Sequence, residues 1–251
     1  MIRPVRLYGD PVLRRRARPV TAFDQDLRAL VADMIDTMID ADGLGLAAPQ
    51  IGVSTRVFVV AGAAEAEQTQ ADTDSTLAEA DGAGVEGVGG RANGAPAGQV
   101  SGAPAGQDGG KPAGQVAGAP TGASPEEQRA QALVFVNPSF EGTRGRQVGI
   151  EGCLSLPGLY HEAIGRHAAL LVRYQDLDGG WHEREAEGRF AVVLQHEADH
   201  LDGVLFIDRL EPQERFAFMD EHRADLAQMQ RDAKAALRQS NGIPARASER
   251  T

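Results

Sequence analysis

The apolar residues between residue 24 and about residue 40 recur three and four positions apart. They are Leu27, Leu30, Val31, Met34, Ile35 and Met38. This spacing puts them on one face of an amphipathic helix, and Thr21 or Asp24 can act as its N-cap. The pattern stops at Gly43, where the stretch GLGLAAPQIG begins. The sequence therefore predicts an N-terminal helix that leads into a segment containing glycine.

Strand patterns follow on both sides of a long polar interval. Residues 56–60 (RVFVV) and 133–138 (LVFVNP) are short apolar runs flanked by turn-forming residues. Residues 167–187 alternate in polarity around the turn signal DGG at residues 178–180, which predicts a β-hairpin. We expect these strands to form an antiparallel sheet in which one connection is unusually long.

Two more helices are predicted towards the end of the chain. The segment FAVVLQHEADHLDG is apolar in its first turns and ends at Gly203, a residue suited to a C-terminal cap. Residues 212 to about 239 form a second amphipathic pattern, and residues 241–251 are predicted to be a flexible tail. These runs favour an α+β class, with one domain over residues 1–240. In it, we expect the helix that contains HEADH to be central and to pack among small antiparallel sheets, and N- and C-terminal helices complete the domain.

Residues from about 62 to 131 differ in composition from the rest of the chain. Between residues 61 and 131 lie 15 of the chain's 30 glycines and no Phe, Trp or Tyr, and near-repeats such as GAPAGQ contain no large apolar residue. Such a segment buries too little apolar surface to offset the entropy lost on ordering it. We predict a disordered low-complexity insert that enlarges one strand-to-strand connection of the domain.

Charge and hydropathy exclude several classes of protein. The insert has ten Asp or Glu against three basic residues, so −7 of the chain's net charge of −11 belongs to it. The sequence contains no stripe of basic residues of the kind that follows a phosphate backbone. It therefore predicts no sequence-specific nucleic acid binding. Nowhere do about 18 apolar residues run together, and the N-terminus lacks the apolar core of a signal peptide. We expect a cytoplasmic protein without membrane contact, and its single cysteine excludes an internal disulfide.

Residues that carry chemistry are concentrated in QHEADH, residues 195–200. His196 and His200 are four positions apart on a predicted helix, so both imidazoles can face one metal ion, and Glu197 lies between them. This pattern is typical of zinc peptidases. The third ligand therefore decides which chemistry the site performs.

The sequence offers two candidates for that third ligand. The longer peptidase motif with a third histidine is excluded, because Phe206 occupies the required position. Glu221 lies on the following helix at a spacing that a zinc endopeptidase uses. Cys153, in the upstream stretch EGCLS, is the alternative, since a thiolate and two imidazoles leave one coordination position open for water. Spacing alone leaves both candidates open.

Three stretches together resemble the signature motifs of the peptide deformylase family: GLGLAAPQIG, EGCLSLP and QHEADHLDGVLFIDRL. The resemblance covers essentially the whole chain outside the insert and the tail. It implies a peptide deformylase-like fold. It also implies a metal-dependent hydrolase that removes the N-formyl group from the N-terminal formylmethionine of nascent polypeptides and releases formate. The alternatives are an HExxH zinc endopeptidase that uses Glu221, and a catalytically silent homologue.

The resemblance also implies the cofactor and the catalytic residues. The implied metal ligands are Cys153, His196 and His200. The implied metal is Fe²⁺, and Zn²⁺, Ni²⁺ or Co²⁺ can occupy the same ligands. Glu197 would carry a proton from water to the departing amine. The side-chain amide of Gln50 and the backbone N–H of Leu154 would donate hydrogen bonds to the developing oxyanion.

Four further residues are candidates for substrate binding. Gly43 and Gly45 let the backbone come close to an extended peptide, which the family binds as if it were an added strand. Leu44 and Val193 would line the pocket for a methionine-like side chain.

The sequence departs from the family pattern at two positions. Tyr160 stands where some members carry an arginine near the substrate backbone, and Arg189 stands where relatives are often apolar. Separately, the end of the chain is basic, which predicts a contact with the ribosome. Its basic residues are Arg231, Lys234, Arg238, Arg246 and Arg250.

Overall fold

The structure, a computed structural model, describes residues 1–62, 64 and 123–240. Its main elements in chain order are α1 (Gln25–Asp40), β1 (Gly45–Ala47), β2 (Val57–Val60), α2 (Pro125–Gln131), β3 (Leu133–Arg144), β4 (Gln147–Cys153), β5 (Leu156–Arg166), β6 (Ala169–Gln175), β7 (Trp181–Glu187), α3 (Gly188–Leu201), α4 (Pro212–Glu221) and α5 (Arg223–Ser240). Short 3-10 turns lie at Pro11–Arg14, Ala48–Ile51 and Phe206–Arg209. The predicted α+β class is confirmed.

The strands form two antiparallel sheets. The larger sheet has the order β1–β2–β3–β6–β7, and the smaller sheet pairs β4 with β5. The predicted hairpin is present as β6 and β7, which pair from Ala169 with Glu187 to Gln175 with Trp181. The smaller sheet was not predicted, because glycines and charged residues interrupt the alternation of polarity in both of its strands.

α3 is the central helix that the sequence predicts. Phe190, Leu194 and Leu201 pack in the main core together with all four residues of β2. Because other elements cover the helix, its polar residues Glu197 and Asp199 are buried with the apolar ones. Buried polar groups need specific partners or a specific function, so this helix is the natural place to look for a site.

The helix ends largely follow the sequence signals. Asp24, not Thr21, caps α1, and its carboxylate accepts a hydrogen bond from the N–H of Leu27 at 3.1 Å. After α3, Gly203 has φ of +76°, and a Cβ there would lie 2.8 Å from the backbone of Arg14. Glycine is therefore required by both its conformation and its contacts. The helix predicted at residues 212–239 is interrupted at His222, whose ψ of 21° is not helical.

The predicted boundary of the insert is wrong at its C-terminal end. Residues 125–131 form α2, which begins with a capping box between Ser124 and Glu127. Arg129 of this helix pairs with Asp36 of α1 at 2.7 Å. Capping and this ion pair order the last seven residues of the predicted insert. Residue 63, residues 65–122 and the tail at residues 241–251 lie outside the described part of the chain.

The N-terminal segment connects the two stretches that precede α3. The N–H of Arg6 donates to the carbonyl of Gln50 at 2.6 Å, and the N–H of Tyr8 donates to the carbonyl of Ser155 at 2.8 Å. This segment thereby holds GLGLAAPQ beside EGCLS. Within the described residues, no helix is long and apolar enough to cross a membrane.

Candidate metal centre

α3 carries four of the predicted site residues: Val193, His196, Glu197 and His200. The rings of His196 and His200 have centroids 5.1 Å apart. Glu197 points towards β1, so close that a Cβ added to Gly45 would lie 2.4 Å from Glu197 Oε1. Gly45 is therefore needed for the close approach of the helix to β1.

Cys153, the last residue of β4, completes a cluster of three donors. Its sulfur lies 3.3 Å from Nε2 of His200. One donor atom from each of Cys153, His196 and His200 lies within 4.8 Å of the others. A thiolate with two imidazoles is a recognised ligand set for a divalent transition metal and leaves a coordination position for substrate or water. The donor set therefore fits a divalent transition metal.

Glu221 does not belong to this cluster. It is the last residue of α4, and it is exposed. α4 instead turns Phe218 into a second core, formed with residues of β5 and α5. The endopeptidase alternative with Glu221 as third ligand is therefore not favoured.

A buried ion network lies behind the cluster. Nδ1 of His196 is 2.7 Å from Oε2 of Glu151. The guanidinium of Arg166 donates to both oxygens of Glu151, at 2.7 and 2.8 Å, and to Asp199 at 2.6 Å. Arg209 donates to Asp199 from the other side, with Nε at 2.9 Å from Oδ2. The hydrogen bond at Nδ1 orients the His196 ring and leaves its Nε2 for a metal.

This network sets the charges of its members. Burial raises the pKa of Glu151, but Arg166 and His196 outweigh burial and lower that pKa to about 2. Burial lowers the pKa of His196, but the sulfur of Cys153 and the carboxylate of Glu151 raise it well above its usual value. The pKa of His200 is lowered well below its usual value, chiefly by burial. Metal binding at this site therefore competes with protonation of His196.

Glu197 has the opposite environment on the front of the cluster. Its side chain is buried, and within the described residues its Oε2 has no hydrogen-bond partner. Burial raises its pKa to about 7, against the opposing effect of the charge on His196. A carboxyl group with a pKa near neutrality can both accept and release a proton at physiological pH.

Gln50 lies beside the cysteine, in the 3-10 turn that follows β1. Its Oε1 accepts a hydrogen bond from the N–H of Ala47 at 2.8 Å. Its Nε2 faces the sulfur of Cys153 at 3.6 Å and the hydroxyl of Ser155 at 3.4 Å. The donor end of the amide therefore points towards the metal cluster, as an oxyanion donor requires.

A cavity opens in front of these residues. Each residue that the sequence predicts for substrate binding or oxyanion stabilisation lines it: Gly43, Leu44, Gly45, Val193, Gln50 and Leu154. Asp42 and Val192 line it too, although the sequence did not single them out. Its walls are mainly apolar, so the cavity can accept an apolar side chain next to polar groups that perform chemistry.

The two residues that depart from the family pattern lie outside the lining of the cavity. Tyr160 on β5 pairs with Gly152 on β4, directly before Cys153. Arg189 lies in the first turn of α3 and is not among the residues that line the cavity. Neither residue belongs to the three-donor cluster.

The sequence reasoning did not identify the residues that support the ligands. Glu151 stands in the motif EGCLS, but Arg166 and Asp199 come from β5 and α3 and meet it only in the fold. One signal was available. A metal-binding histidine usually donates a hydrogen bond from its second ring N–H to a carboxylate or carbonyl oxygen. An acidic residue in a ligand motif is therefore a candidate acceptor for that hydrogen bond.

A family model described as polypeptide deformylase matches residues 2–81 and 117–216, more than half of the chain. The chain belongs to the polypeptide deformylase family. The peptide deformylase of Thermus thermophilus is 37% identical over 239 residues, which cover 95% of this chain and 98% of that protein. The peptide deformylase of Acidothermus cellulolyticus is 37% identical over 214 residues, covering 85% and 82%.

Solved structures agree with the sequence comparison. The crystal structure of peptide deformylase from Thermus thermophilus matches with a TM-score of 0.64 and 36% identity, covering 92% of this chain and 99% of that one. The crystal structure from Thermotoga maritima matches with a TM-score of 0.56 and 32% identity, covering 84% and 99%. The predicted family, fold and peptide deformylase function are confirmed.

Proposed function

We propose that this deformylase removes the N-formyl group from the N-terminal formylmethionine of nascent polypeptides in the cytoplasm, releasing formate. One observation carries the proposal: the donors of Cys153, His196 and His200 cluster beside an apolar cavity, and Glu197 and Gln50 line that cavity together with Cys153 and His196. Hydrolysis of an amide needs a polarised carbonyl, a proton carrier and donors for the oxyanion. This cavity provides candidates for each.

We propose Fe²⁺ as the metal, with Zn²⁺, Ni²⁺ or Co²⁺ able to occupy the same three ligands. When bound, the metal activates water and polarises the formyl carbonyl. Glu151 occupies Nδ1 of His196, so this histidine would bind through Nε2. The choice of iron rests on the family resemblance, because the donor set alone suits several divalent metals.

Glu197 is the proposed proton carrier. Its buried carboxylate lies between the two histidine ligands in sequence and faces the cavity. It accepts a proton from the attacking water and delivers it to the amine that leaves. General base and general acid catalysis of this kind contributes about 10²–10⁴ to a rate.

Gln50 and the backbone N–H of Leu154 are the proposed donors to the oxyanion. Gln50 presents Nε2 next to Cys153, and Leu154 follows that ligand directly. Removing one such donor costs about 2.7–4 kcal/mol of transition-state stabilisation. We expect Gln50→Ala to fold and to lose about 10²–10³ in kcat, and wild-type turnover would refute this assignment.

The substrate peptide would extend along β1. β1 is an edge strand of the larger sheet and includes Gly45, and Gly43 precedes it at the mouth of the cavity. An extended peptide can add to such an edge through backbone hydrogen bonds. Leu44 and Val193 would contact the methionine side chain.

The basic end of the chain is a proposed contact with the ribosome. Arg231, Lys234 and Arg238 lie on α5, and the remaining basic residues lie outside the described part of the chain. Deletion after Arg231 should reduce co-sedimentation with ribosomes at low salt, because such contacts with phosphates weaken as salt increases. Unchanged co-sedimentation would remove this partner from the proposal.

Formate release from a formylmethionyl dipeptide tests the proposed function. The protein is prepared anaerobically and loaded with Fe²⁺, and metal-free protein serves as the control. We expect formate and a free amino terminus in equal amounts. No release above the control would favour the catalytically silent alternative.

Cys153→Ala tests the ligand set independently of turnover. The variant should bind less than a tenth of the metal that the wild type retains after dialysis, because one of three protein ligands is lost. Glu221→Ala is the matched control and should keep full metal content. The reverse result would support the endopeptidase ligand set.

A further inference from the structure

The hydroxyl of Ser155 lies inside the site, yet the proposed function gives it no part. Ser155 is fully buried, with 0% exposure. Its Oγ accepts a hydrogen bond from Nε2 of Gln50 at 3.4 Å, and its backbone N–H donates to the sulfur of Cys153 at 3.4 Å. It does not line the cavity, so it cannot touch the substrate from this position.

The Gln50 amide is held at both ends. Its Oε1 accepts from the N–H of Ala47 at 2.8 Å, and its Nε2 donates to Ser155. The terminal torsion of a glutamine is soft, so one contact alone leaves the amide plane free to rotate. The second contact holds Nε2 beside Ser155, from where Nε2 also donates a longer hydrogen bond, of 3.6 Å, to the sulfur of Cys153.

Loss of the Ser155 hydroxyl would leave one acceptor close to Nε2. That acceptor is the sulfur of Cys153, at 3.6 Å. A thiolate is anionic, and hydrogen bonds to ionised acceptors are stronger than neutral ones. The amide would therefore turn towards the sulfur and away from the position in which it donates to an oxyanion.

We propose that Ser155 is a positioning residue that holds the Gln50 amide in its oxyanion-binding orientation and keeps its hydrogen bond to the Cys153 sulfur long, at 3.6 Å. The inference rests on the proposed function of Gln50. The backbone of Ser155 is itself fixed, because its carbonyl accepts from the N–H of Tyr8 at 2.8 Å. The hydroxyl is thus presented to Gln50 from a rigid support.

Ser155→Ala tests the proposal by kinetics. We expect kcat to fall about tenfold, the upper range for one neutral hydrogen bond, with KM changed less than twofold. In a Gln50→Ala background the same substitution should change kcat less than twofold, because the residue acts through Gln50. Equal loss in both backgrounds would overturn the proposal, since a general structural defect does not depend on Gln50.

A spectroscopic measurement tests the same idea without turnover. In the Co²⁺-substituted protein, a shorter hydrogen bond from Gln50 to the thiolate lowers the energy of the sulfur's donor electrons. The sulfur-to-cobalt charge-transfer band should therefore move to shorter wavelength in Ser155→Ala, but not in the double variant that also carries Gln50→Ala. An unmoved band in Ser155→Ala would refute the rotation of the amide, even if formate release by the wild type had failed.

The matched control removes a buried hydroxyl elsewhere. Thr37 is 2% exposed, and its Oγ1 accepts from the N–H of Arg3 at 2.9 Å, far along the chain from the metal ligands. Thr37→Val should leave both kcat and the cobalt spectrum unchanged. If Ser155→Ala does not fold, Ser155→Cys fills the same space with a weak acceptor and should show both effects at smaller size. Wild-type values in Ser155→Cys would count against the proposal.

Discussion

The buried carboxylates on the two sides of the metal cluster differ in how many hydrogen-bond partners they have. Behind the cluster, Glu151 receives two hydrogen bonds from Arg166 and one from His196, and Asp199 receives hydrogen bonds from Arg166 and Arg209. In front of it, Glu197 is equally buried, but within the described residues its Oε2 has no partner. One side is fully paired, and the other retains an unpaired acceptor.

This difference gives the two sides separate roles, because one side positions a ligand and the other side can exchange a proton. A buried charge with complete partners stays ionised and fixes the groups around it. A buried carboxyl without them has a raised pKa and can exchange a proton. The back of the site therefore orients His196, and the front carries the chemistry. Substitutions on the two sides should have opposite consequences for the stability of the metal-free protein.

Glu197→Gln removes the unpaired carboxylate in front of the cluster and should give the largest effect. We expect kcat to fall by about 10²–10⁴, because the proton carrier is lost while the ligands remain. The metal-free variant should be more stable than the wild type at pH 8, by up to about 3 kcal/mol, because a neutral amide replaces a carboxylate whose pKa burial raises to about 7. Chemical denaturation measures this difference.

The pH dependence gives that prediction its control. A carboxyl with a raised pKa takes up a proton on folding between about pH 4.5 and pH 7. The stability advantage of Glu197→Gln should therefore be complete above pH 7 and absent near pH 4. An advantage of the same size at both pH values would contradict the assignment to this carboxylate.

Glu151→Gln removes a charge from the ion network behind the cluster and should lower the stability of the protein, whereas Glu197→Gln should raise it. The variant leaves Arg166 with less than its full set of anionic partners, and breaking a buried ion pair typically costs about 3–5 kcal/mol. It also removes the anionic acceptor at Nδ1 of His196, and we expect metal affinity to fall about 10–100-fold. Glu162→Gln, an exposed position on β5, is the matched control and should change neither quantity. Unchanged metal affinity in Glu151→Gln would show that the network does not orient the ligand.

Acid should reproduce the Glu151 effect without a mutation. Because the folded-state pKa of Glu151 is lowered to about 2, its contribution to stability is complete above pH 4.5 and is lost as the pH falls towards 2. The difference in unfolding free energy between the metal-free wild type and Glu151→Gln should shrink by about 3 kcal/mol over this range. A difference that stays constant down to pH 2 would contradict the lowered pKa.

Much of this site could be predicted from the sequence because its ligands lie in short motifs. His196, Glu197 and His200 follow helical spacing, and Cys153 and Gln50 lie in stretches that resemble the family's signatures. The same reasoning identified α1, α3 and the β6–β7 hairpin, whose patterns are regular. Local sequence patterns therefore predicted the regular helices and the hairpin, together with those site residues that lie close together in the sequence.

The supporting residues could not be predicted in that way. Glu151, Arg166 and Asp199 lie on three elements, and only the register of β4 with β5 and the packing of α3 bring their charges together. The β4–β5 sheet was missed because glycines and charged residues disturb its alternation, and those charged residues include Glu151 and Arg166 themselves. α2 was missed because a capping box and an ion pair to Asp36 stabilise it, not an apolar face.

Arg209→Gln should have the smallest effect. It tests whether the exposed end of the ion network contributes to stability and metal affinity as the buried end does. Arg209 is the outer member of the network, with 46% of its side chain exposed, and it shares Asp199 with the buried Arg166. Solvent screens an ion pair in this position, so we expect a loss of about 1 kcal/mol or less and a change in metal affinity below threefold. Chemical denaturation and competitive metal titration, each beside Glu151→Gln, test this gradient. If Arg209→Gln matched Glu151→Gln in either measurement, the support of His196 would depend on the whole network and not on its buried half.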